Sequence, residues 1–384
     1  MLSRRQRRTI KKNLTPRILW SAIGVTMLIV ALGVFAYLSS INTLNYSVAD
    51  TAKKLAGIPV EPTLDKVAYD LKMLKLAHVS TTTIAELVRA PKPGETTLSS
   101  FTPESLASST IGTWPTRAAY PLPGAILPEK RIVAYYGNFY STRMGILGEF
   151  DEAEVLRRLQ EEIAAWNAAD PTTPVIPAID YIALTAQDSA GGDGDYMFRM
   201  PDEHIERAVA MARKVNGIVI LEMQLGLSTL QKELPMLEKY LKMPDVHLAL
   251  DPEFAMHNGA RPGTVVGSFD AKEINYAAQY LADLVKANNL PPKVLIVHRF
   301  TKNMVTNYQN IKPLPEVQVV MVMDGWGEPA KKKNTYERVT RPEPVQFTGF
   351  KVFYKNDMKP PSTRLMTPQE ILDLTPSPSF IQYQ

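Results

Sequence analysis

The chain of 384 residues contains no cysteine and only five histidines. Without cysteine there can be no disulfide scaffold, thiolate-held zinc, iron–sulfur cluster, cysteine nucleophile or lipid attached through an N-terminal cysteine. His78, His204, His247, His257 and His298 include no pair at i,i+2 or i,i+4. That spacing excludes a His-x-His or His-Glu-x-x-His metal centre, so no metal or cofactor is expected. A carboxylate-only Mg²⁺ or Ca²⁺ site stays open. There is no Gly-x-Ser-x-Gly elbow and no Walker loop. No Gly-rich phosphate turn follows the first candidate strand, which ends Tyr135-Tyr136-Gly137-Asn138. A dinucleotide-binding open sheet is therefore disfavoured.

A basic body is also missing. The net charge is +4, but residues 1–17 carry seven cations (Arg4, Arg5, Arg7, Arg8, Lys11, Lys12, Arg17) and no acid. The remainder has 36 basic and 39 acidic residues, so a nucleic-acid partner is not expected. Residues 18–38 then run for 21 positions without a charge, with Trp20 and Tyr37 near the ends. A helix of about 20 apolar residues spans a bilayer, and preceding cations keep its N-terminus cytoplasmic. The expectation is a single-pass anchor with the rest of the chain outside. A signal peptide cleaved after Ser47-Val48-Ala49 is the alternative, although its apolar core would be shorter.

Residues 61–78 can form an amphipathic helix through Leu64, Val67, Leu71 and Leu74, packing on the following domain or on a second copy. From 79 to 130, 15 of 52 residues are Ser or Thr and 7 are Pro, too little apolar surface to offset ordering entropy. Residues 39–130 therefore read as a stalk, with docked apolar spots such as Trp114 and Leu122.

From 131 the pattern changes. Strand candidates at 131–138, 179–187, 217–224, 246–253, 293–299, 317–324, 348–354 and 380–384 alternate with helical stretches at 151–168, 201–215, 228–242, 270–289, 301–308 and 367–374. The polar, Lys-rich stretch 328–341 is expected to be irregular, with Lys331-Lys332-Lys333 solvated. Parallel strands need crossover connections, and eight of them in about 250 residues is the size of a closed (β/α)₈ TIM-type barrel. An open doubly wound sheet is the runner-up.

Alternation along the strands then places acids inside. His247, Ala249, Asp251 and Glu253 share one face. Ile218, Ile220, Glu222 and Gln224 share another, as do Val320, Val322 and Asp324. Val294, Ile296 and His298 repeat the trend, as do Ile132, Ala134, Tyr136 and Asn138. Lys351 is ambiguous between inward and solvated. Each set turns polar toward the C-terminal strand end, where such barrels hold their sites. Crowded carboxylates cannot all ionise freely, and a raised pKa makes one of them a general acid, as in glycosidases. Glu253, Asp251, Asp324 and Glu222 are the candidate catalytic residues. Tyr136, Asn138, Gln224, His298, Trp326 and Tyr354 are candidate substrate contacts, with Tyr136 and Trp326 stacking on sugar rings. Asp188 to Asp195 reads as a flap over the mouth, with a calcium loop as the alternative.

Asp251-Pro252-Glu253 resembles the terminal Asp-x-Glu of chitinase-like glycoside hydrolases and barrel-type muramidases. There the Glu donates a proton and the Asp supports it. Met321-Val322-Met323-Asp324 resembles the Met-x-Tyr-Asp strand of the chitinase-like group, with Met323 in place of Tyr. Ala249 and Val246 stand where the longer chitinase motif has acids. Taken whole, the body resembles a family of bacterial membrane-anchored or secreted barrel proteins, which implies fold and location but no reaction. The leading expectation is an anchored glycoside hydrolase-like barrel acting on an envelope or extracellular polysaccharide. A non-catalytic sugar- or partner-binding barrel, with the acids in an ion-pair network to His298, Arg299 or Lys351, is a second reading. A metal-assisted phosphodiesterase is a third.

Overall fold

The computed structural model describes residues 63–80, 114–116 and 118–384. The expected span at 18–38 and the basic tail lie outside the described residues. No described helix is long and apolar enough to cross a membrane.

Eight parallel strands close on themselves: β1 (Arg131–Gly137), β2 (Val175–Ala186), β3 (Ile218–Met223), β4 (Val246–Leu250), β5 (Lys293–Arg299), β6 (Val317–Met323), β7 (Phe347–Val352) and β8 (Phe380–Tyr383). Each pairs with the next, and β8 returns to β1, so Ile132 lies opposite both Phe380 and Ile176. The β-branched, apolar runs are buried on both faces, as a parallel sheet under helices requires. This is the closed TIM-type α/β barrel.

Among the described residues, the α-helices of five or more residues are α1 (Lys66–Leu76), α2 (Glu152–Ala169), α3 (Asp202–Lys214), α4 (Ala271–Asn288), α5 (Pro329–Thr335) and α6 (Pro368–Leu372). Asp151 accepts the Glu154 N–H at 3.0 Å to start α2, while Asp270 and Thr367 close capping boxes on α4 and α6. Three expectations need correction. The helix expected at 228–242 breaks into Leu230–Glu233, a 3₁₀ turn Leu234–Leu237 and Glu238–Leu241, because Pro235 has no N–H to continue the ladder. The one expected at 301–308 is two 3₁₀ turns around a two-residue strand, Val305–Thr306, paired with Phe269–Asp270. The stretch 328–341 is not irregular: it forms α5 and a π-turn, Tyr336–Thr340. There Lys332 is buried rather than solvated, donating to Asp357 at 2.7 Å and to the Lys351 carbonyl at 2.6 Å.

Two apolar compartments result. The outer one lies between the barrel and its helices, and includes Val133, Tyr181, Leu221, Leu248, Val297 and Ile381. The inner one fills the barrel with Ile132, Ala134, Ala178, Ile218, Ile220, Ala249, Val294, Ile296, Val320, Val322, Phe347 and Phe380. Gly349 is required here. A Cβ at that position would meet Val322 at 2.7 Å and Phe380 at 3.0 Å.

α1 joins this inner compartment, where Tyr69 and Met73 pack with the barrel residues. Of the expected stripe, Leu74 is buried and Leu64 packs against the inner compartment, but Val67 is exposed, and Tyr69, Asp70 and Met73 complete the buried face. An aromatic and a Met reach further into the barrel than Val67 does. Tyr120 donates to the buried Asp70 at 2.7 Å. Part of the expected stalk is likewise docked. Gln318, inside the barrel, accepts the N–H groups of Ile126 and Leu127 at 3.0 Å each and donates to the Leu127 carbonyl at 2.6 Å. Trp114 is buried, its Nε1 donating to the Arg341 carbonyl at 2.8 Å. The Leu122 side chain, expected to dock, is exposed.

Met73→Ala should cost about 2–5 kcal/mol in urea unfolding, because it leaves a cavity among barrel residues. A cost within experimental error would mean that α1 is not part of the barrel core.

Candidate active site

Period-2 alternation continues past the inner apolar layers on every strand. Two residues beyond Ala134, Ala178, Ile220, Ala249, Ile296, Val322, Gly349 and Phe380 stand Tyr136, Asp180, Glu222, Asp251, His298, Asp324, Lys351 and Gln382. All eight of these polar residues are buried. The strands thus deliver one polar ring at the C-terminal mouth.

The ring is wired through contacts. Glu222 Oε1 accepts from the Tyr136 hydroxyl at 2.7 Å and from Gln224 Nε2 at 3.0 Å. His298 places Nε2 3.1 Å from Glu222 Oε2 and Nδ1 3.4 Å from Asp324 Oδ2. Both approaches are within ion-pair reach but off the hydrogen-bonding angle, so Glu222 Oε2 and both ring nitrogens make no hydrogen bond. Lys351 Nζ lies 3.3 Å from Asp324 Oδ1 and 4.0 Å over the Tyr136 ring. Gln382 donates to Asp180 Oδ2 at 2.6 Å, leaving Oδ1 unpaired.

Burial and mutual charge divide these groups. Burial alone would lift Glu222, but His298, Lys351 and Tyr136 hold its carboxyl below its ordinary value. Burial opposes the charged forms of His298 and Lys351, yet the surrounding carboxylates raise both. Asp180 and Asp251 are pushed well up, first by burial and then by the charge on Glu222. The surroundings therefore favour the charged forms of Glu222, His298 and Lys351 and the protonated forms of Asp180 and Asp251.

Glu253 differs from the rest. The strand expected at 246–253 stops at Leu250, and Pro252–Phe254 is a 3₁₀ turn. Asp251 caps that turn, its Oδ1 accepting the Glu253 N–H at 3.0 Å. Glu253 therefore reaches the mouth from a turn and not by strand alternation. It is partly exposed, and its carboxylate has no hydrogen bond or ion pair among the described residues. Burial, with Asp324 as the next cause, pushes it up to about 7.

Tyr136, Glu222, Gln224, Asp251, His298 and Asp324 thus meet as expected, with Glu253 beside them; Asn138 and Tyr354 do not. Tyr136 is inside, but its hydroxyl is held by Glu222 and Lys351 covers its ring, so it is no sugar platform. Asn138 is buried, donating to the Ile182 carbonyl at 3.1 Å and accepting the Tyr140 N–H at 2.8 Å, which shapes the loop after β1. Tyr354 turns outward, where it stacks on Tyr383 at 5.2 Å and bonds Glu162 of α2. Trp326 is exposed just beyond Asp324, with Lys331 and Lys359 at 4.5 and 5.2 Å from its ring. Arg299 points away from the mouth, to Glu343 at 2.6 Å, so the ion-pair network uses His298 and Lys351. Asp180 and Gln382 were not anticipated. The signal for Asp180 was a single acid inside a strand apolar on both faces. Exposed Tyr140 and Phe198 add a second aromatic edge, 6.3 Å between ring centres.

The expected flap is tied down. Arg199 binds Asp193 at 2.7 Å, Asp195 at 3.2 Å and Glu233 at 2.7 Å, and Lys232 also binds Asp195. With Asp193 and Asp195 paired to cations, this loop offers no calcium ligand set. Among the described residues, Asp180, Glu222 and His298 offer metal-ligand atoms close together.

No protein-family profile matches the chain, and no curated protein matches it in sequence. Among solved structures, it is similar to a ruminal GH26 endo-β-1,4-mannanase at 11% identity and a TM-score of 0.30, covering 66% of this chain and 59% of the mannanase. It is similar to a protein assigned as an α-L-fucosidase from Bacteroides thetaiotaomicron at 9% identity and 0.31, over 70% of this chain and 91% of that one. An α-galactosidase from Thermus thermophilus gives 18% and 0.21, over 62% and 39%. The chain thus spans under two thirds of the mannanase, and likeness at these scores does not bear on the reaction.

Proposed function

We propose that this chain is a membrane-anchored, extracytoplasmic glycoside hydrolase acting on an envelope or extracellular polysaccharide, with Glu253 as the proton donor. One observation carries the reading. An unpaired, partly exposed carboxyl stands beside a buried network of Glu222, His298, Asp324 and Lys351 at the mouth of a closed barrel. Glycosidic cleavage needs both an acid still protonated near neutral pH and fixed negative charge facing the developing oxocarbenium ion. Glu253, pushed up to about 7, supplies the first. Asp324 and Glu222, fixed by Lys351 and His298, supply the second. Asp324 is the better nucleophile or base, because it keeps some exposure while Glu222 has none. Asp251 acts through the backbone, setting the turn that carries Glu253. Glu253 gives its proton to the glycosidic oxygen as the C–O bond breaks and the bonding pair leaves with that oxygen. Trp326 on one edge, and Tyr140 with Phe198 on another, offer rings for sugar stacking. The uncharged run at 18–38 behind seven cations supports the anchor and its orientation.

A non-catalytic sugar-binding barrel is the second reading. It is favoured by the hold of Lys351 and His298 on Asp324, which keeps that carboxylate engaged.

The full chain in detergent should hydrolyse at least one member of a glycan panel, and Glu253→Gln should lower turnover by about 10²–10⁴-fold without changing the circular dichroism. Saturable binding without hydrolysis would establish the second reading. Activity should fall as pH rises through about 7, since the donor must be protonated. Stability follows the same group. A carboxyl with a folded pKa above its unfolded value stabilises fully below about 4.5, and that contribution is lost as pH rises through about 7. Glu253→Gln should therefore gain stability over wild type at pH 8, up to about 3 kcal/mol, and gain little at pH 4. An equal difference at both pH values in urea unfolding would refute the raised pKa.

A further inference from the structure

The carboxylates of the mouth are not held symmetrically. Glu222 has Oε1 occupied by Tyr136 and Gln224, while Oε2 accepts no hydrogen bond. Asp180 has Oδ2 occupied by Gln382, while Oδ1 accepts none. His298 turns Nδ1 toward Asp324 and leaves Nε2 aimed at the free oxygen of Glu222. All three residues are fully buried, and one ligand atom from each lies within 4.8 Å of the others. Asp180 Oδ1 has no partner at all, and Glu222 Oε2 and His298 Nε2 face each other at 3.1 Å without a hydrogen bond, which is costly in a closed interior.

We propose that Asp180, Glu222 and His298 bind one first-row divalent cation through Asp180 Oδ1, Glu222 Oε2 and His298 Nε2, any proton on these atoms being released to solvent as the metal enters. The pattern is that of a supported metal site: the two carboxylates have their far oxygens held by hydrogen bonds, and the imidazole has a carboxylate 3.4 Å from its other nitrogen. Glu222 is held by Tyr136 and Gln224 and Asp180 by Gln382, while Asp324 stands within ion-pair reach of the His298 Nδ1. One imidazole with two carboxylates suits Mn²⁺ through Zn²⁺ better than Ca²⁺, which takes oxygen ligands only. Lys351 is the opposing charge nearby, engaged by Asp324 and standing over the Tyr136 ring. The histidine spacing excluded a paired-His centre but did not address one histidine meeting two acids from other strands. The cation site rests on this geometry and not on hydrolysis.

The test is direct binding. The full chain in detergent, stripped with EDTA, is titrated with ZnCl₂ and with MnCl₂ by calorimetry, and metal content after dialysis is counted by mass spectrometry. One equivalent per chain is expected. Asp180→Asn and His298→Gln should weaken it at least tenfold, Asp324→Asn about tenfold, and Glu253→Gln should leave it unchanged. A wild type that takes up no saturable equivalent would overturn the proposal, as would Asp180→Asn binding like wild type. Should a variant not fold, the wild type alone decides, since a bound cation must raise its thermal midpoint with concentration. A midpoint unmoved by Zn²⁺ and by Mn²⁺ would overturn it. Glycan hydrolysis without metal uptake would sink the cation site and leave the hydrolase reading standing. Metal uptake without hydrolysis would do the reverse.

Discussion

Two cations, Lys351 and His298, stand among five carboxylates in a space that excludes water, and the mouth is organised by that imbalance. Charge in a low-dielectric interior must be paired or given up. Glu222 and Asp324 are paired with the two cations. Asp180 and Asp251 are shifted toward their protonated forms. Only Glu253 is neither paired nor fully enclosed, which is why its proton is poised near neutrality. The chemistry proposed here therefore depends less on any one acid than on how few cations were placed among them.

The fold supplies the conditions for this imbalance. Closure of the eight strands removes free edges and directs alternate side chains inward. Below the polar ring the barrel is filled by aliphatic and aromatic layers, and Tyr69, Met73 and Leu127 pack into the same compartment. Without that filling, water would screen the mouth, and its pKa shifts would shrink. A second buried network steadies the rim. Asp357 accepts the N–H groups of Gly327 and Phe353 at 2.9 Å each and pairs with Lys332. This joins the loop bearing Trp326 to the end of β7, so the exposed ring is held by buried charge beneath it.

The resemblance of Asp251-Pro252-Glu253 to a terminal Asp-x-Glu acquires a physical basis here. The Asp caps a 3₁₀ turn and the Glu is what that turn displays. This arrangement needs no continuous strand, and the strand in fact stops at Leu250. The same local logic explains the failures at Asn138 and Tyr354. Both follow strand ends, where alternation ceases to govern direction, and both are committed to neighbours outside the barrel lumen.

Local pattern alone determined the barrel, the order of its strands and the inward direction of Glu222, Asp251, His298 and Asp324, because alternation and strand–helix succession are properties of the chain itself. Tertiary structure decided the rest. Asp180 lies in a strand apolar on both faces, so nothing local told its inward side from its outward one. Lys351 was equally balanced between solvent and interior until the ring of acids fixed it. Lys332 looked solvated within a run of lysines, but Asp357, 25 residues away in sequence, buries it. Which side chains share a low-dielectric space is set by closure of the sheet, and closure brings together residues that share no window of sequence.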